Sequence, residues 1–86
     1  MTREEIDDFA DEVAPDEEIL VPDGLDGGFI GLSIHEDEPR AVYSVQGCIK
    51  SLMKDMTLEE ATEYFWYNVA GVKGGNYPIF VEVPDE

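Results

Sequence analysis

The sequence predicts an α+β fold: a small three- or four-stranded, mostly antiparallel sheet with two helices packed on one face, preceded by an acidic N-terminal helix or arm. Three observations point there. Apolar residues recur at helical spacing in three stretches, they alternate with period two in others, and clusters of Gly, Pro and Asp punctuate the chain between them. With 86 residues the chain has room for one core, since independent domains usually need roughly 100 residues. The expected organisation is an acidic helix or arm over 1–18 and a single α+β domain over 19–86.

The first helix follows from Ile6, Phe9, Ala10 and Val13, which share one face at i, i+3, i+4 and i+7. Thr2 and Glu5 have the spacing of a capping box, Glu4 and Glu5 suit the positive end of the helix dipole, and Pro15 stops the helix. Ile19 to Val21, bounded by Pro22, reads as a short edge strand. In "PDGLDGG", Pro22 to Gly28, three glycines allow positive φ and two aspartates can bond their own backbone, so a turn is expected.

Ile30, Leu32 and Ile34 then alternate with Gly31 and Ser33, the pattern of a half-buried strand. "HEDEP", His35 to Pro39, is turn chemistry, and "RAVYS", Arg40 to Ser44, completes a hairpin. Ser44 suits the N-cap of a helix whose one face carries Val45, Cys48, Ile49, Leu52, Met53 and Met56. Cys48 falls inside that stripe, which makes it a buried, inert thiol. Gly47 weakens the helix by about 1 kcal/mol relative to alanine and suits a close backbone approach.

"TLEE", Thr57 to Glu60, is a second capping box, and Gly71 is placed to close the helix it opens in the left-handed conformation. At 100° per residue, Leu58, Ala61, Thr62, Phe65 and Val69 face inward, with Trp66 at the border of that sector. Glu60, Glu63, Tyr64 and Tyr67 fall on the opposite side. One core cannot take all four rings of "YFWY". After the loop "VKGGNYP", the run "IFVEV" places Ile79, Val81 and Val83 on one side of a last strand that pairs with the hairpin.

Charge is the strongest compositional signal. There are 21 Asp and Glu against 5 Lys and Arg, a formal charge of -16, far beyond the magnitude of about 2–8 usual for a small domain. Such a field repels nucleic acid and anionic membranes and attracts basic surfaces. The acid is concentrated: residues 1–26 carry 11 acidic and 1 basic side chain, 27–58 carry 4 and 3, and 59–86 carry 6 and 1. Adaptation to high salt predicts a more even spread than this.

Little in the chain supports catalysis. One His and one Cys make neither a zinc site nor an internal disulfide, and a reducing compartment fits. His35 is a turn residue. Asp23 and Asp26 lack the distal bidentate glutamate of an EF-hand, and "GVKGGN" follows a helix where a phosphate loop would precede one. Carboxylate pairs such as Glu59 and Glu63 arise by chance among so many acids. Expected are no catalytic residue, no metal, no cofactor and no enzyme. No apolar run could span a membrane, and the acidic N-terminus is unlike a signal peptide, so a cytosolic location is expected.

What remains is an interaction surface. Tyr64 and Tyr67 among Glu60 and Glu63 offer flat aromatic area beside negative charge, a combination that interfaces use for rigid contact. Asp7, Asp8, Asp11 and Glu12 of the arm would extend it. The plainer alternatives are that the two tyrosines pack against the arm or against the partner in a homodimer.

The stretch "CIKSLMKDMTLEEATEYFWYNVAGVKGGNYPIFVEV", with "ILVPDGLDGGFIGL" and "AVYS" upstream, resembles a family of small proteins of phage and prophage genomes. That family's pattern is Met-Thr-x-Glu-Glu-Ala, then Glu-Tyr-Phe, Asn-Val, glycines and Pro-Ile-Phe. It corresponds here to Met56 to Ala61, Glu63 to Phe65, Asn68 and Val69, Gly71, Gly74, and Pro78 to Phe80. The match covers about three quarters of the chain and departs in "VKGGNY" and at Gly27 and Gly28, where the family tends to carry Asp-Ala. No site comes with it.

The resemblance implies a phage origin and the cytoplasm of a host cell. Small acidic phage proteins often inactivate host defence enzymes by occupying a cationic groove, as anti-CRISPR and anti-restriction proteins do. The partner expected on that ground is a basic host protein, a nuclease or CRISPR effector. The rival reading is a phage housekeeping or assembly protein, or a small-molecule binder, whose charge serves solubility; a third is an enzyme of unrecognised type.

Overall fold

The computed structural model describes residues 1–34, 38–71 and 77–84. Its described elements are α1 (Arg3–Val13), a 3-10 turn (Asp26–Gly28), β1 (Phe29–Leu32), β2 (Ala41–Ser44), α2 (Val45–Leu52), α3 (Leu58–Tyr64), a π-helical turn (Phe65–Val69) and β3 (Ile79–Val81). The fold is α+β, with a three-stranded sheet in the order β1-β2-β3. β1 and β2 are antiparallel, whereas β3 runs parallel to β2. A parallel neighbour needs a crossover of a dozen residues or more, and α2 and α3 lie within it.

Both capping boxes form. Thr2 Oγ1 accepts from the Glu5 amide at 3.2 Å while Glu5 accepts from the Thr2 amide at 2.8 Å. Thr57 and Glu60 make the same exchange at 3.2 and 3.0 Å. Ser44 caps α2 by accepting from the Gly47 amide at 2.8 Å. The polar residues that start each helix therefore satisfy amides that would otherwise be orphaned.

One core joins every layer. Ile6 of α1, Val21, Leu25, Phe29, Ala41, Tyr43, Val45, Cys48, Phe65 and Val69 form a single buried cluster. Ile6 is fully buried, so α1 contributes to the same core as the sheet. Rings run through it in sequence: Phe9 on Phe29 at 6.2 Å, Phe29 on Tyr43 at 5.6 Å, Tyr43 on Phe80 at 6.0 Å, and Phe80 on Phe65 at 5.3 Å between centroids. Three of these four contacts are edge-to-face, the arrangement that ring quadrupoles favour.

Several local expectations are corrected. Ile19 to Val21 forms no strand; Val21 is buried and Ile19 packs beside it, so the segment supplies side chains to the core and no backbone to the sheet. In β1 the register slips between Phe29 and Gly31. The bulge, with Gly31 at φ +156°, puts Phe29 and Leu32 against the core and leaves Ile30 and Ile34 exposed. A bulge inserts an extra residue and so resets a period-two pattern. In β3, Ile79 and Val81 share one side of the strand as the alternation predicts, and it is Phe80, on the opposite side, that packs on the core.

Gly24 has positive φ, as the turn reading requires, but Gly27 and Gly28 do not. Their reason is proximity to α2. A Cβ on Gly27 would stand 2.6 Å from Ser51 Oγ, which accepts the Gly27 amide at 3.1 Å. One on Gly28 would stand 2.7 Å from the Cys48 nitrogen. Gly71 likewise does not adopt the left-handed conformation; the helix closes through a bond from the Ala70 amide to the Phe65 carbonyl at 2.8 Å. Cys48 is fully buried. Met53, outside α2, and Leu58, at the first position of α3, are exposed. His35 and all of "VKGGN" lie outside the described residues.

Candidate interaction surface

The helix opened by Thr57 turns Ala61, Phe65 and Val69 inward, each buried. Spacing of four residues keeps these three on one side. The side chains of Glu60, Glu63, Tyr64 and Tyr67 are exposed on the rest of the surface, with Tyr64 at 42% and Tyr67 at 81%. Among the described residues, neither α1 nor any other element covers Tyr67. Glu60 is committed to its capping box, and hydrogen bonds from the Thr57 amide and hydroxyl hold its carboxyl below the ordinary value.

From Phe65 the helix widens into its π turn. Such turns occur mostly as single insertions and often at functional sites. Trp66 lies within it and is 51% exposed, its ring edge-on to Phe65 at 5.2 Å. From the border of the inward sector the indole thus turns outward: Phe65 takes the buried position, and Trp66 rests edge-on against it at the rim. Three of the four rings of "YFWY" face water, and Phe65 alone enters the core. Tyr77 sits close by, its phenol raised by partial burial and secondarily by the neighbouring Tyr64.

The α1 acids are placed differently. Asp7, Asp8, Asp11 and Glu12 are all exposed. Asp7 pairs with Arg3 at 3.2 Å, and the same guanidinium reaches Asp23 at 2.8 Å. Asp7 and Asp11 line a groove of about 340 Å³ with Ala10 on one side and Glu17, Glu18, Ile19 and Val21 on the other. Asp8 and Glu12 lie outside that lining. Glu17 and Glu18 were not singled out from the sequence, although the acid run after Pro15 carried the signal.

A second hollow of about 180 Å³ is lined by Gly24, Asp26, Ser51, Leu52, Lys54, Asp55 and Met56. It mixes both signs of charge, and the Oγ of its serine, Ser51, accepts from the Gly27 amide. Among the described residues no group of three or more His, Cys, Asp or Glu is placed to hold a metal ion. No described helix is long and apolar enough to cross a membrane. Among the described residues, the buried Asp26 Oδ1 and Tyr43 hydroxyl have no hydrogen-bond partner. Burial, and secondarily the charge of Asp26, raises the Tyr43 phenol far above its ordinary value.

The structure is a small acidic α+β fold with exposed rings on the helix opened by Thr57. Comparison with protein-family models, with curated proteins and with solved structures gives no match.

Proposed function

We propose that this chain is a phage-encoded, non-enzymatic binding protein. It inhibits a host nucleic-acid-binding defence enzyme, such as a CRISPR effector or restriction nuclease, by occupying that enzyme's cationic groove in the host cytoplasm. The observation that supports this best is the exposure of Tyr67 and Tyr64 beside Glu63 on a chain of formal charge -16. Negative charge of that size steers a basic partner quickly and makes its binding salt-sensitive. Exposed phenol rings supply contact area at small entropic cost.

The test is capture on immobilised protein from a host carrying such defence systems, followed by a cleavage assay with the captured enzyme in purified form. The reading expects a nuclease or CRISPR effector that is released as salt is raised and whose cleavage of DNA is suppressed by the protein. Retention of virion proteins, or a captured nuclease whose cleavage is unaffected, overturns it in favour of a housekeeping or assembly role.

A further inference from the structure

Tyr67 is the most exposed of the large apolar and aromatic side chains described, at 81%. It makes no ring contact with another described residue, whereas Tyr43, Phe65, Trp66, Tyr77 and Phe80 all do. Glu63 stands four residues before it, across the junction where α3 passes into the π turn, and residues at that spacing are neighbours on a helix surface. Unlike Glu60, Glu63 has no part in a cap. Burying no ring in the core while leaving a phenol and a carboxylate adjacent gives a flat π face edged by negative charge.

That combination selects among cations. An ammonium is compact and strongly hydrated, and satisfies the carboxylate alone. A guanidinium is planar and weakly hydrated: it stacks on an aromatic face while its N–H groups bind a carboxylate with two parallel bonds. Phosphates and nucleic acid are repelled by the surrounding charge, and the flanking glutamates disfavour a purely apolar partner.

We propose that Tyr67 and Glu63 form an arginine-binding element, Tyr67 stacking on the guanidinium and Glu63 accepting its N–H groups, so that the partner's contact is an arginine in preference to a lysine. This rests on the docking reading above and specifies its chemistry. The full-length protein should be titrated with oligo-arginine and oligo-lysine peptides of equal length by calorimetry, with the fluorescence of Trp66, the single tryptophan, followed in parallel.

Oligo-arginine should bind about two- to fivefold tighter than oligo-lysine, the factor that a cation–π contact gives at an exposed site. Tyr67→Phe should keep that preference, and Tyr67→Ala should abolish most of it with little loss of oligo-lysine binding. Equal affinity of the native protein for both peptides, or a preference undiminished in Tyr67→Ala and Glu63→Gln, overturns the arginine element while leaving salt-sensitive docking of a basic partner intact. Failure of both peptides to bind at low salt overturns the two together.

Discussion

Gly28 lies so close to Cys48 that a Cβ on it would stand 2.7 Å from the Cys48 nitrogen and 2.8 Å from its sulfur. The contact seats the 3-10 turn on the first turns of α2 and sets where β1 begins. Both sides depend on small residues, since the third nearest atom is the carbonyl carbon of Gly47 at 3.1 Å.

Gly28→Ala should therefore destabilise the protein by about 1–3 kcal/mol, the range for overpacking a filled site. Gly24→Ala meets open space but requires a side chain at φ +85°, and should cost about 1 kcal/mol. Chemical denaturation of the two variants measures both. A Gly28→Ala variant as stable as the native protein would show that the turn can lift off α2.

Ile6→Ala should cost about 2–5 kcal/mol, as for other fully buried aliphatic side chains, because Ile6 is completely buried in the common core. Val13→Ala should change little, since Val13 is 53% exposed. Thermal unfolding followed by circular dichroism checks this, and a single shifted transition is expected for Ile6→Ala.

The capping boxes predict a loss of stability in acid. Glu5 and Glu60 are held below the ordinary carboxyl value of 4.5, each first by the backbone hydrogen bond from its threonine. A depressed native pKa means stability that is present above the unfolded value and lost as pH falls through the native one. Both groups are exposed, so the effect is small. Thr57→Ala should remove about 1 kcal/mol at neutral pH and should flatten the acid side of the stability profile below pH 4.5.

Tyr43 makes the opposite prediction at high pH. Its hydroxyl is buried without a partner among the described residues, and desolvation raises its phenol above the ordinary 10.0. Stability linked to that shift is present below pH 10 and is lost as pH rises, because the unfolded chain ionises first. Tyr43→Phe should stay within about 1 kcal/mol of the native protein at neutral pH, since an unpaired hydroxyl contributes no net hydrogen bond. Above pH 10 it should lose less stability than the native protein. Urea titrations on either side of pH 10 decide it.

Cys48 should resist thiol reagents in the native state and react at once in denaturant, as its complete burial requires. Fast labelling of the folded protein would show that the Gly28 contact opens.

What the sequence determined by itself is local: where helices begin, which turns separate the elements, and the sign of the charge. Thr2, Ser44 and Thr57 cap their helices through hydrogen bonds spanning three residues, so a short window contains all the chemistry involved. Tyr64 and Tyr67 could be placed outward for the same reason, because helical spacing alone separates them from Phe65.

Only the tertiary structure decided which strand residues face the core, why two glycines are needed, and what becomes of Trp66. A bulge at Gly31 resets the alternation of β1, and the pairing of Tyr43 with Phe80 sets that of β3. Gly27 and Gly28 answer to an α2 that lies some twenty residues further along the chain. Close packing couples such distant residues, and no periodicity within one segment carries that information.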